Sequence, residues 1–232
     1  IDKLFSECKK NFSYKTIFQI GYQMIQRIEY VHSKGYIHRD IKPGNFVIGK
    51  GDKSKIIYII DFGLSKRYID KNNKKHIPYK EGKGLTGTAR YVSLFTHYGI
   101  EQSRRDDIEG IAYNLIYLAK GKLPWQGVKT KNKKEKHKKI MESKLAYSPE
   151  QLCKDLPDEF VNLLKYSSSF NACFGVIENV KPIVSSLLCL IPALEMSTAK
   201  ISSLPLTKIT QLSKSTSFSR AISFKSTILL TS

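Results

Sequence analysis

The octet His38-Arg39-Asp40-Ile41-Lys42-Pro43-Gly44-Asn45 sets an acid, a cation and an amide close together, and Asp61-Phe62-Gly63 follows sixteen residues after Asn45. Such a set suits transfer of a phosphoryl group to a hydroxyl. That reaction needs the hydroxyl aligned for in-line attack, and cations to neutralise the charge that develops on the phosphoryl oxygens. Asp40 can accept the hydroxyl proton and hold the nucleophile in line. Lys42, two residues on, can reach the transferring group. Asn45 and Asp61 offer hard oxygen ligands of the kind Mg²⁺ prefers. Gly63 permits a backbone turn after the second ligand. Val47 and Ile60 flank these residues and are apolar, as the floor of an adenine pocket would need. Each residue alone has a plainer reading: Asp40 a turn residue, Asn45 a strand-end cap, Val47 and Ile60 ordinary core. Asp-Phe-Gly alone is a weak signal, whereas the octet and the triplet at this separation are a strong one.

For Asp61 to return beside Asn45, the chain between them must fold back. Phe46 to Ile48 and Ile56 to Ile60 are apolar runs separated by Gly49-Lys50-Gly51-Asp52, which predicts a β-hairpin. Ahead of the octet, Ile17, Ile20, Met24, Ile25, Ile28 and Val31 recur at helical spacing. They predict one amphipathic helix over Ser13 to Ser33, starting near Ser13 or Thr16, with Gly35 as its C-cap. Residues 64–102 are rich in Lys, Gly, Thr and Tyr without a sustained period, and predict a long functional loop. Ile108 to Leu118 predicts a buried helix, broken by Leu123-Pro124-Trp125. Lys129 to Lys144 and Pro157 to Leu164 predict two more helices, with Pro157 in a first turn.

The 232 residues are 41% hydrophobic and 25% charged, a globular balance. Lys and Arg total 39 against 20 acids, a net charge of +19 that favours an anionic partner. Cys8, Cys153, Cys173 and Cys189 are scattered, which argues against a zinc ribbon or a disulfide framework and suits a reducing compartment, cytoplasmic or nuclear. No apolar run reaches the length of a membrane span, and Pro192 interrupts the best, Ile183 to Leu194. Lys129 to Lys139 holds seven lysines, one histidine and a single acid. It reads as a solvated helix face, a nuclear-import signal or a patch for an anionic substrate. Nucleic-acid binding is the weaker reading, because no aromatic residues interleave the charges.

The octet and the triplet resemble the catalytic loop and metal-binding triplet of protein kinases. Three further segments narrow the likeness: Leu85-Thr86-Gly87-Thr88-Ala89-Arg90-Tyr91, then Gly99-Ile100-Glu101-Gln102-Ser103-Arg104-Arg105-Asp106-Asp107, then Leu123-Pro124-Trp125-Gln126-Gly127. With Ile56 to Lys66 and His76-Ile77-Pro78-Tyr79, they are similar to the casein kinase I family of serine/threonine kinases. The resemblance runs from about Ile1 to about Tyr166. It implies a mainly α fold with a small β-hairpin, the large C-terminal lobe of the protein-kinase fold. ATP and Mg²⁺ are the implied cofactors, and the implied state is a monomer. In the role the resemblance assigns, Asp40 is the base, Lys42 and Thr88 assist it, and Asn45 and Asp61 hold the metal. Val47 and Ile60 line the nucleotide site. Thr88 should brace Asp40 and Lys42, and Asp107 should anchor the catalytic-loop backbone. Arg90, Gly127 and Lys136 match the positions that bind the phosphate or acidic group of the family's protein substrates.

The sequence also departs from that family. No Gly-rich phosphate loop and no strand lysine occur, so residues 1–166 are expected to be an incomplete kinase domain that does not catalyse by itself. A non-catalytic lobe that binds acidic or phosphorylated peptides is the alternative function. Lys3 stands where an acid contacts the ATP ribose, Gly44 where the family has an acid, and Phe95 where it has an asparagine. Residues 167–232 turn Ser/Thr-rich with few acids, and are expected to be a disordered tail or the product of a shifted frame or unspliced intron.

Overall fold

The computed structural model describes residues 1–168. The expectations placed on residues 169–232, with Cys173 and Cys189, lie outside the described residues; Ser167 and Ser168 end the last helix.

The first long helix follows the periodicity. α2 spans Tyr14–Ser33, after a short α1 over Asp2–Glu7. The Ser13 hydroxyl accepts from the Thr16 N–H at 3.2 Å and caps α2. One face, Ile17, Phe18, Met24, Ile25 and Ile28, is buried. The cap residue at the other end is Lys34 rather than Gly35. Gly35 takes the next position with φ +79°, where a side chain would be strained. α1 is too short to show a period; Phe5 anchors it, with Phe12 and Tyr117 edge-on at 4.9 and 5.2 Å.

The hairpin forms as expected. β2 (Phe46–Ile48) pairs antiparallel with β3 (Ile57–Ile59), Phe46 opposite Ile59, so Ile56 and Ile60 fall outside the strands. Gln23 of α2 stitches the hairpin down: it accepts from the Ile57 N–H at 2.8 Å and donates to the Lys55 carbonyl at 3.0 Å. A second two-stranded sheet joins β1 (Tyr36–Ile37) to β4 (Lys66–Arg67). The sequence does not show it, because two-residue strands carry no alternation. Residues 64–102 are otherwise mostly irregular, with one short helix, α3 (Leu94–His97).

α4 (Arg104–Lys120) is the central helix, packed against α2 and against α7 (Asp158–Ser168). Ser103 and Asp106 form a capping box at its start, and Gly121 ends it at φ +73°. α5 (Lys133–Leu145) starts later than Lys129, because the Asn132 side chain accepts from the Glu135 N–H at 2.8 Å and caps it there. α6 (Pro149–Leu152) has Pro at its first turn and a Ser148–Gln151 capping box. Cys8 and Cys153 are free thiols, and no described helix is long and apolar enough to cross a membrane.

α4 approaches the octet closely at Gly110. A Cβ there would meet Ile41 Cβ at 2.9 Å and the Tyr91 carbonyl oxygen at 3.4 Å. Gly110→Ala is expected to destabilise by about 1–3 kcal/mol, the usual cost of overpacking. A urea midpoint lowered at unchanged m-value checks this; an unchanged midpoint contradicts it.

His97, at the end of α3, has a buried Nε2 with no hydrogen-bond partner. Burial, helped by the Lys144 charge, pushes His97 down to about 3. The unfolded chain binds that proton near the ordinary value of about 6.5, so this group's contribution is present above it and lost as pH falls. Asp106 acts with the opposite sign: burial pushes it up to about 6, so its contribution fades as pH rises from the ordinary carboxylate range to there. His97→Gln removes the first effect and keeps the second. Between pH 7 and pH 5 the variant is expected to lose about 1–2 kcal/mol less stability than the parent. Equal losses in paired denaturation curves would refute this.

Candidate active site

The octet hangs on one buried carboxylate. Asp107 Oδ2 accepts from the His38 N–H at 2.8 Å, and Oδ1 from the Arg39 N–H at 2.9 Å. His32 Nε2, at the end of α2, lies 2.7 Å from Oδ2 and donates to it. Burial pushes the Asp107 carboxyl up, but the hydrogen bonds from the His32 ring and the His38 backbone N–H outweigh it and hold the group below the ordinary carboxylate range. Asn114, two turns along α4, donates to the Ile41 carbonyl at 3.3 Å. The Asp40 N–H donates to His38 Nδ1 at 3.3 Å, so the His38 proton sits on Nε2, which donates to the Ile60 carbonyl at 3.1 Å. The ring also meets Phe62 edge-on at 5.1 Å. His38 thus ties the octet to the triplet.

The catalytic candidates converge on Asp40. Lys42 Nζ lies 2.6 Å from Asp40 Oδ2, and Thr88 Oγ1 donates to Oδ1 at 2.8 Å. Asn45 Nδ2 donates to the Asp40 carbonyl at 2.9 Å and to Oδ2 at 3.2 Å. Burial again raises the Asp40 carboxyl, and the Lys42 and Thr88 hydrogen bonds, the Lys42 charge and Asn45 bring it below the ordinary range. Asp40 is therefore an ionised acceptor at neutral pH. Thr88 braces Asp40 directly; it makes no bond to Lys42, which is held through the same carboxylate.

The hairpin returns Asp61 to Asn45, because the Ile60 N–H donates to the Asn45 carbonyl at 2.9 Å. Asp61 is exposed, in a left-handed conformation at φ 63°, with Oδ1 accepting from the Gly63 N–H at 3.3 Å. Asn45 spends its amide nitrogen on Asp40, which leaves its carbonyl oxygen for a cation. Two such oxygens, completed by nucleotide phosphates and water, fit the way Mg²⁺ is usually held. Among the described residues no cluster of three or more His, Cys, Asp or Glu could hold a metal without such help. Val47 is half-buried on β2, opposite Tyr58, and Ile60 is exposed at the hairpin end.

The substrate-side candidates are less gathered. Arg90 lies over the Tyr91 ring at 5.6 Å, and its carbonyl accepts from Trp125 Nε1 at 2.8 Å. Gly127 is in a left-handed turn at φ +79°, and Lys136 is exposed on α5. No hydrogen bond or ion pair joins these three. Of the departures, Lys3 is a surface residue 3.9 Å from Glu7, and a Cβ on Gly44 would meet open space. Phe95 carries the Arg105 guanidinium 3.7 Å over its ring, an aromatic contact that an amide would not give.

Two features escape the sequence reading. Glu101 pairs with Lys66 at 2.9 Å and Lys83 at 3.4 Å, lining with Arg39 a cavity of about 320 Å³ beside the octet. Lys144 is 3% exposed, and burial pushes it down to about 7 although Glu109 opposes this. Its spacing within a lysine-rich helix looks like solvated surface; only its place four residues after buried Ile140 marks it.

A carboxylate held ionised among Lys, Thr and Asn, with metal-capable oxygens beside it, has the chemistry that phosphoryl transfer needs, on a mainly helical fold. A model of the protein kinase domain family matches residues 1–205, most of the chain. The chain belongs to the protein kinase family. Membership makes it a transferase, and implies ATP, a divalent metal and protein substrates.

Asp107→Ala strands two backbone donors and His32 in the interior. A loss of about 3–5 kcal/mol is expected, the cost of breaking a buried, hydrogen-bonded charge. Chemical denaturation measures it, and a loss below 1 kcal/mol would show that the octet does not hang on this group.

Proposed function

We propose that the chain is the large, C-terminal lobe of a serine/threonine kinase of casein kinase I type. On this reading the kinase to which this lobe belongs transfers the ATP γ-phosphate to Ser or Thr in acidic or already phosphorylated protein substrates, and the lobe alone does not. The observation that carries the reading is the Asp40 cluster. A carboxylate kept ionised by Lys42, Thr88 and Asn45 can accept a hydroxyl proton and keep the nucleophile in line. Asn45 and Asp61 would hold Mg²⁺, which neutralises charge on the phosphates. Lys42 lies close enough to Asp40 to face the same transferring group. Arg90 follows Thr88 by two residues, so an anionic group on the substrate would be read next to the reacting hydroxyl. The segments 85–91, 99–107 and 123–127 support the narrower family, as does the excess of Lys and Arg. Guanidinium, backbone N–H and ammonium are suited to a dianionic phosphate.

The test is phosphotransfer from ATP and Mg²⁺ in the full-length natural protein. Serine peptides with a phosphoserine or acidic residues ahead of the target are expected to be turned over, and tyrosine peptides not. Asp40→Asn is expected to lower kcat by roughly 10²–10⁴-fold with the peptide KM little changed. Full activity in Asp40→Asn would sink the assignment. Phosphopeptide binding without any ATP binding would replace it with a binding lobe.

A further inference from the structure

We propose that Lys144, with Trp125, is a positioning residue that sets the peptide-reading segment around Arg90 from beneath. Three carbonyls of one short stretch are taken by these two side chains. Lys144 Nζ donates to the Ala89 carbonyl at 3.2 Å and also to the Val92 carbonyl. Trp125 Nε1 donates to the carbonyl between them, that of Arg90, at 2.8 Å. The ammonium also lies over the Tyr113 ring at 4.7 Å and the Trp125 ring at 5.3 Å. Tyr113 and Trp125 meet edge-on at 5.2 Å, so the cage has its own rigidity. Tyr113 in turn donates to Glu109 at 2.8 Å, and Glu109 accepts from the Leu94 N–H at 3.0 Å.

A buried ammonium is expensive unless it is fully engaged. Here the engagement is with the backbone on both sides of Arg90, a place where a neutral apolar core would leave carbonyls unpaired. The opposite end of the same segment is held independently. Thr88 bonds Asp40, and a Cβ on Gly87 would run into the Arg39 carbonyl oxygen at 2.4 Å. Thr88 therefore keeps its place by contacts with the octet, whereas the backbone of Arg90 is oriented by Lys144 and Trp125. The clamp also couples α5 to that backbone, and α5 carries Lys136. Lys144 does not touch the reacting groups; it acts through Arg90. The inference rests on the reading of Arg90 as an anion-binding residue.

The experiment compares two serine peptides that differ only in a phosphoserine or serine ahead of the target, in the full-length protein. Lys144→Met keeps the stem and removes the ammonium. It is expected to raise KM for the phosphorylated peptide about tenfold, with kcat and the unphosphorylated peptide changed less than about twofold. In an Arg90→Ala background the same substitution should add nothing, since it acts through Arg90. Equal losses on both peptides, or an undiminished loss in the Arg90→Ala background, make Lys144 a general stabiliser and overturn the proposal. Should Lys144→Met fail to fold, Trp125→Phe keeps the ring and removes only the donor to Arg90; it is expected to show the same split at about threefold. Amide exchange at Tyr91 and Val92, read without peptide, separates the two readings. Exchange there at least about tenfold faster in the folded variant, with other protected amides unchanged, is expected. Unchanged exchange overturns the clamp whatever the kinetics. Faster exchange in a protein whose parent shows no phosphopeptide preference overturns the reading of Arg90 and with it the positioning role.

Discussion

The buried carboxylate of Asp107 is the constraint on which the rest of the site depends. A lone charge in this interior would be prohibitive. Three donors on two oxygens offset that cost, and two of them are the backbone N–H groups that open the octet. The charge therefore cannot be satisfied unless residues 38 and 39 lie in one place. α4 repeats the device along one face. Asp107, Gly110 and Asn114 are spaced by three and four residues, and all three meet the octet or its neighbour Tyr91. One holds N–H groups, one makes room for Ile41, one holds the Ile41 carbonyl. A helix whose every side is buried can do this because its other contacts, with α2 and α7, leave it no freedom to roll.

That rigidity carries a local backbone cost. Arg39 and Asp61 both sit in the left-handed region, at φ 70° and 63°. For residues with a Cβ the conformation costs roughly 1–2 kcal/mol each. Each is over-determined by its neighbours. The Arg39 N–H is fixed by Asp107, and its Nε donates to the Leu64 carbonyl at 2.6 Å. Asp61 accepts from Gly63, and the residue before it is bound to Asn45. Arg39 directly precedes Asp40, and Asp61 is the candidate metal-binding carboxylate. Lys9, Lys10, Lys74 and Asp155 share this conformation elsewhere in the chain, but at Arg39 and Asp61 it is held by hydrogen bonds that also fix the octet and the triplet.

How legible this was depends on the range of each interaction. α2 and the hairpin were plain, since each is specified by its own periodicity and turn residues. The convergence of Asp40, Lys42 and Asn45 was equally plain, because all three lie in one octet. Thr88 and Asp107 lie 48 and 67 residues from Asp40, and no local pattern links them to it; only the family resemblance pointed there. The β1–β4 sheet was illegible because strands of two residues have no period, and α1 because six residues show barely two turns. Capping misled in detail rather than in kind. The sequence shows the glycine after α2 and the lysine run before α5, but the side chain of Asn132, not the charge, decides where α5 begins.

Lys144 shows why a charge run resists reading. Lys134, Lys136, Lys138 and Lys139 share its helix and are exposed, so composition averages it into them. On a helix the face decides. Position 144 lies one turn beyond buried Ile140, which turns its stem inward to the Tyr113 and Trp125 rings. Once there, the ammonium must find acceptors, and the carbonyls of the segment that carries Arg90 are those within reach. The same helix therefore leaves one set of lysines exposed to solvent and commits another to the backbone inside. A solvent-exposed charge here is replaceable by its neighbours. The buried one is not, because its partners are fixed peptide groups and no other cation in the described residues reaches them.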